Sequence, residues 1–171
     1  VGYHWYRRNI IRHRNPARWY EYSITSSIMI LVIALLCGIN DLAALIPLMG
    51  INATMNLFGD LMELHNQTTE RTDWTSFLYG TFAGVVPWMA IILYYLGEVI
   101  PSSDAIPGFV LLIVLSMMAF WIRFPINMIL HYKKVGNWKD YLYGEKGYII
   151  LSLVSKSALA WQMWFGLLRG G

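Results

Sequence analysis

Five apolar runs, each about 20 residues long, leave this chain one environment in which to fold. They cover roughly 17–39, 42–62, 77–96, 109–130 and 148–168. A helix of that length rises about 30 Å, the thickness of a bilayer's hydrocarbon core. A helix satisfies its own backbone there, so the fold class is an all-α transmembrane bundle. Residues 1–171 then form a single transmembrane domain, because the runs leave little chain for anything else. Composition agrees: 57% of the residues are hydrophobic and 13% charged, against about 25% charged in soluble domains. Cys37 is the one cysteine and rules out an internal disulfide, and no Cys/His spacing suits a metal. A net charge of +3 would raise nucleic acid as a partner for a soluble protein. Here the basic residues sit between apolar runs, and the partner they imply is the bilayer. The chain opens on Val1, with no signal peptide at its start.

The turn chemistry falls between the runs. Asn15-Pro16 offers a cap and a first-turn proline to the first span. Gly38-Ile39-Asn40-Asp41 reads as a short turn, and Pro101, Ser102, Ser103, Asp104 and Pro107 mark the third connection. Gly136 and Gly144 punctuate the fourth. Arg7, Arg8, Arg12, Arg14 and Arg18, then Arg71, then Lys133, Lys134, Lys139 and Lys146 make ten of the thirteen Lys and Arg, all on one side of the membrane. By the positive-inside rule that side is cytoplasmic, with the N-terminus in the cytoplasm and the C-terminus outside. Asn66-Gln67-Thr68 matches a glycosylation sequon that this orientation keeps silent.

Charge inside a span costs roughly 3 kcal/mol and points to function. Lys156 lies eight residues into the fifth span, about 12 Å deep. Its stem either snorkels that distance or presents an amine that forms a Schiff base with an aldehyde. Ser152, one turn earlier on the same face, either bonds to its own helix or serves that amine. Glu21, one turn into the first span, either favours the helix dipole and pairs with Arg18 or acts as a carboxylate partner for Lys156. Asn52, Asn56, Asp60 and Glu63 form a stripe at helical spacing along the second span. It is either a polar path toward the cytoplasm, through Asp60 and Glu63, or glue between helices. Trp121, Pro125 and Met128 share one face of the fourth span, with Arg123 turned away beside Asn127 and Ser116. Gly80 to Gly84 spells GxxxG, a close-packing motif.

The stretches Arg18-Trp19-Tyr20-Glu21-Tyr22-Ser23, Gly50-Ile51-Asn52-Ala53, Ala83-Gly84-Val85-Val86-Pro87-Trp88 and Ser152 to Gln162 resemble heliorhodopsin. The resemblance runs from about Asn15 to Phe165, in order. It implies that the spans correspond to helices three to seven of a seven-helix retinal protein, with the first two lacking a counterpart. It implies all-trans-retinal bound covalently to Lys156, Glu21 as counterion and Ser152 hydrogen-bonded to the Schiff base. Asn52, Met55, Trp88 and Met128 match positions near the chromophore, and Trp121 shares Met128's face. Arg123 departs from the family, which commonly has a small or polar residue there. The function implied is a light-sensing photoreceptor, not an enzyme, acting in the lipid bilayer as a homodimer on a signalling partner that the sequence does not name. The rivals are a light-gated proton channel, a retinal-independent transporter using the Asn52–Glu63 stripe, and a purely structural subunit.

Overall fold

The computed structural model describes residues 2–101 and 106–169, so Ser102, Ser103 and Asp104 of the third connection lie outside the described residues. The described chain is helical throughout: α1 (Gly2–Ile11), α2 (Pro16–Leu36), α3 (Leu42–His65), α4 (Thr75–Val99), α5 (Gly108–Tyr132) and α6 (Tyr141–Arg169), with a 3₁₀ turn at Gly136–Lys139. Four of these, α2 to α5, are long and apolar enough to cross a membrane. With 29 residues α6 is the longest. Lys156, Gln162 and a run of Ser, Tyr and Trp dilute its hydropathy below that of the other four. The chain is thus a multi-pass membrane protein, with the fifth crossing resting on the sequence reading.

Most ends follow the local chemistry. Asn15 accepts a hydrogen bond from the Arg18 amide at 3.3 Å, with Pro16 opening α2, as its cap-and-proline pair predicts. Asp41 accepts from Ala43 N at 3.0 Å and starts α3. The start of α6 differs from expectation. Gly144 does not interrupt the chain; it lies inside α6, which begins at Tyr141 after Asp140 accepts from Leu142 N at 3.0 Å. The glycine is there for packing, since a Cβ on it would run into the His131 ring. The sequence reading also has no counterpart for α1, whose residues form no apolar run and stay largely exposed.

Three helices end in the same Schellman turn, in which the chain passes through the left-handed region. After α2 the left-handed residue is Gly38 (φ 92°), with Ile39 N bonded to Ala34 O at 3.0 Å. After α1 it is His13 (φ 55°), with Arg14 N bonded to Asn9 O at 3.1 Å. After α5 it is Lys134 (φ 51°), with Val135 N bonded to Leu130 O at 3.1 Å. That conformation costs a residue with a Cβ about 1 kcal/mol and glycine almost nothing.

Backbone packing divides the chain into two compact units, Val1–Tyr94 and Tyr95–Gly171. In the first, α2 and α3 pack as an antiparallel hairpin. Gly59 gives the Trp19 ring its place, because a Cβ there would overlap the indole. The GxxxG reading holds at Gly80, where an added Cβ would lie 3.0 Å from Phe58 Cβ and 3.3 Å from Met55 O. In the second unit α5 and α6 pair, with the 3₁₀ turn folded against both. Gly166 makes room for Phe109 at one end of that pair, and Gly144 and Gly147 admit His131 and Asn127 at the other.

Candidate functional site

The polar side chains of the first unit form a seam between α2 and α3. Asn52, 2% exposed, donates to Ser26 Oγ at 2.7 Å and to Ser27 Oγ at 3.1 Å. Asn56 donates to the same Ser26 Oγ at 2.9 Å and to Asn52 O at 2.8 Å. Ser27 in turn donates toward Met49 O at 3.1 Å, crossing back to α3. Further along, Asp60 holds Arg14 in a two-pronged ion pair, at 3.0 and 2.7 Å. That bond raises the Arg14 pKa further above its ordinary value, keeping the guanidinium charged. Glu63 pairs with Arg18, the two side chains only 7% and 4% exposed, and accepts from the Asn15 amide at 2.9 Å. The Arg18 guanidinium also lies 4.2 Å from the centre of the Trp19 ring. The stripe read from the sequence is therefore buried and hydrogen-bonded along its length. Its acidic end faces two arginines that sequence spacing did not connect to it. Asp60 and Glu63 are 46 and 45 residues from their partners, and no local pattern carries that contact.

Glu21 shares an exposed strip of α2 with Tyr20, Ile24 and Ile28. Its Oε1 accepts a hydrogen bond from Thr25 Oγ1 at 3.0 Å, one turn on. Of the expected chromophore neighbours in this unit, Asn52 and Trp88 are buried and Met55 is half-buried.

In the second unit Lys156 is half-buried near the middle of α6. Ser152 is 8% exposed and one turn away. Its carbonyl accepts from Ser155 Oγ at 3.1 Å, while its own hydroxyl has no hydrogen-bond partner among the described residues. Met128 is buried and Trp121 half-buried on α5. Arg123 and Asn127, placed together by helical spacing, differ in surroundings. Arg123 is exposed and donates to Ala119 O at 2.9 Å. Asn127 is buried, donates to Gly144 O at 3.1 Å and accepts from Trp138 Nε1 at 2.8 Å. This latch between α5, the 3₁₀ turn and α6 was not singled out by sequence; the two glycines of Gly144-Glu145-Lys146-Gly147 are its trace. Among the described residues no His, Cys, Asp and Glu cluster could hold a metal ion.

A half-buried lysine thus sits on an apolar helix, with a buried serine one turn away. A family model described as heliorhodopsin matches residues 1–168. The chain belongs to the heliorhodopsin family. No curated protein matches it. The family match takes in α1 and the basic segment after it, beyond the stretch from Asn15 to Phe165 that carries the resemblance in sequence. Heliorhodopsin membership makes this a rhodopsin-type membrane protein and implies a retinal chromophore. Glu21 belongs to the first unit and Lys156 to the second.

Proposed function

We propose that this heliorhodopsin is a light-sensing photoreceptor whose retinal is held by Lys156. The observation that carries the reading is the Ser152–Lys156 pair. A buried serine lies one turn from an amine in the middle of an apolar helix, in a chain whose family implies retinal. All-trans-retinal, bound to Lys156 Nζ as a protonated Schiff base, supplies visible absorption and a light-driven change of shape. The protein's own groups do the rest. By the family resemblance Glu21 takes the counterion role, and its carboxylate accepts a hydrogen bond from the Thr25 hydroxyl. Ser152 offers a hydrogen-bonding oxygen to the lysine nitrogen. Trp121 and Met128 on α5, and by the family resemblance Asn52, Met55 and Trp88, are the side chains proposed to take part in binding retinal. A conformational signal reaches an unidentified partner, and two copies of the chain form the working unit.

The alternatives, a light-gated proton channel and a transporter along the Asn52–Glu63 stripe, need mobile protons or ions at Asp60 and Glu63. Both carboxylates are engaged with arginines, which favours the sensor. The test is colour. The full chain expressed with retinal should absorb visible light, and Lys156→Ala should abolish the band. A band that persists in Lys156→Ala overturns the lysine assignment. Dark flux independent of retinal would favour the transporter.

A further inference from the structure

The corner between α5 and α6 is small, rigid and basic. Only residues 133–140 separate Tyr132 from Tyr141, so the loop stays at the depth of the lipid headgroups, a layer of roughly 5–7 Å on each side of the hydrocarbon. Its shape is fixed from inside: Trp138 donates to Asn127 at 2.8 Å, and its ring meets Tyr143 edge-on at 5.0 Å. Lys133, Lys134, Lys139 and Lys146 all face outward. Against the four lysines stand two acidic residues, which leaves this stretch a formal charge of +2. Asp140 accepts the Leu142 amide, and Glu145 is buried. Exposed Val135 and Leu142 lie between the lysines, a mixture suited to the boundary between headgroups and acyl chains.

The backbone adds an independent sign. Lys134 occupies the left-handed position of the Schellman turn, where glycine fits without strain. The corresponding turn at Gly38, in a connection with no Lys or Arg, does use glycine. The turn after α1, among arginines, uses His13. A strained backbone kept at a cation, where an easier residue exists, indicates a use for the cation.

We propose that the α5–α6 corner binds the headgroups of anionic phospholipids in the leaflet it faces. The occupant follows from charge complementarity and from position, since the lysines continue directly from a membrane-crossing helix. The test uses the full chain in liposomes with spin-labelled phosphatidylglycerol and phosphatidylcholine as probes. The wild type should hold phosphatidylglycerol several-fold more strongly, and salt should weaken the preference. Each Lys→Gln change at positions 133, 134 and 139 should reduce it by up to about fivefold. Lys134→Gly separates use from structure: it should raise the thermal midpoint while lowering the lipid preference. Equal association of both lipids with the wild type overturns the proposal. So does a Lys134→Gly protein that keeps the full preference. Complete competition by inorganic phosphate would assign the corner to a soluble anion instead. None of these readouts requires retinal, so the proposal stands or falls apart from the photoreceptor reading.

Discussion

The α2–α3 hairpin and the α5–α6 hairpin are both antiparallel helix pairs, but they spend their polar groups differently. Along α2–α3 the partners form one unbroken series from the middle of the pair, Ser27 with Met49 O, to the segment before α2, where Arg14 meets Asp60. Along α5–α6 they gather toward the ends: Ser116 with Gln162 at 3.0 Å, and Asn127 with Gly144 and Trp138. Between those ends lie Ser152 and Lys156. The first hairpin is a scaffold whose side chains satisfy one another. The second carries its inter-helix hydrogen bonds to either side of Ser152 and Lys156.

The largest expected effect comes from opening the scaffold at its most buried charge. Glu63→Ala leaves Arg18 uncompensated and should cost about 3–5 kcal/mol, read as a fall in the thermal midpoint in detergent. Replacing both Arg18 and Glu63 with Met should recover most of that loss. If the double variant is no better than the single, the pair is not the source of the cost. In the second hairpin, Gly147→Ala would place a Cβ 2.6 Å from Asn127 Oδ1, and overpacking of this kind costs about 1–3 kcal/mol. Asn127→Ala in the same chain should relieve the clash. Without that relief, the latch does not set the spacing of α5 and α6.

A smaller effect is expected at Ser26, whose oxygen accepts from both Asn52 and Asn56. Ser26→Ala removes that acceptor and should cost about 0.5–1.5 kcal/mol, with Ser26→Thr keeping most of it. Ser152→Ala, by contrast, should leave the thermal midpoint of the retinal-free protein nearly unchanged and shift the absorbance of the loaded one. A large loss of stability in Ser152→Ala would erase the contrast between the hairpins.

The smallest effect is at Asp73, between α3 and α4. Its hydrogen bonds to Thr75 hold its carboxyl below the usual carboxylate range, and His65 at 3.2 Å adds to this. A folded pKa lowered in this way favours the folded state above the unfolded pKa of about 3.9, and the benefit disappears as pH falls through the folded value. Amide exchange in the first turn of α4 should therefore quicken only in that acid range. Asp73→Asn should flatten the response.

The scaffold and the site were legible in the sequence to different degrees. Apolar runs located the helices because helix length against bilayer thickness is a local rule. Asn15-Pro16 and Asp41 marked starts because caps act over three residues. Gly144 was misleading because a glycine kept for packing looks like one kept for turning. Arg14 and Arg18 counted as topology signals, yet both also hold α2 to α3. Such contacts depend on how the hairpin closes, which no short window contains. Lys156, Ser152 and Glu21 stood out because polar groups are rare on apolar helices.

Asn66 shows how a structural job can occupy a sequence signal. Its amide nitrogen donates to Met62 O at 2.9 Å and Asp73 O at 3.0 Å, while its oxygen accepts from Asp73 N at 2.7 Å and Thr69 at 3.1 Å. Attaching a sugar would require that same nitrogen, and the loop would have to come undone first. The sequon is thus chemically occupied in the folded chain, whichever compartment it faces.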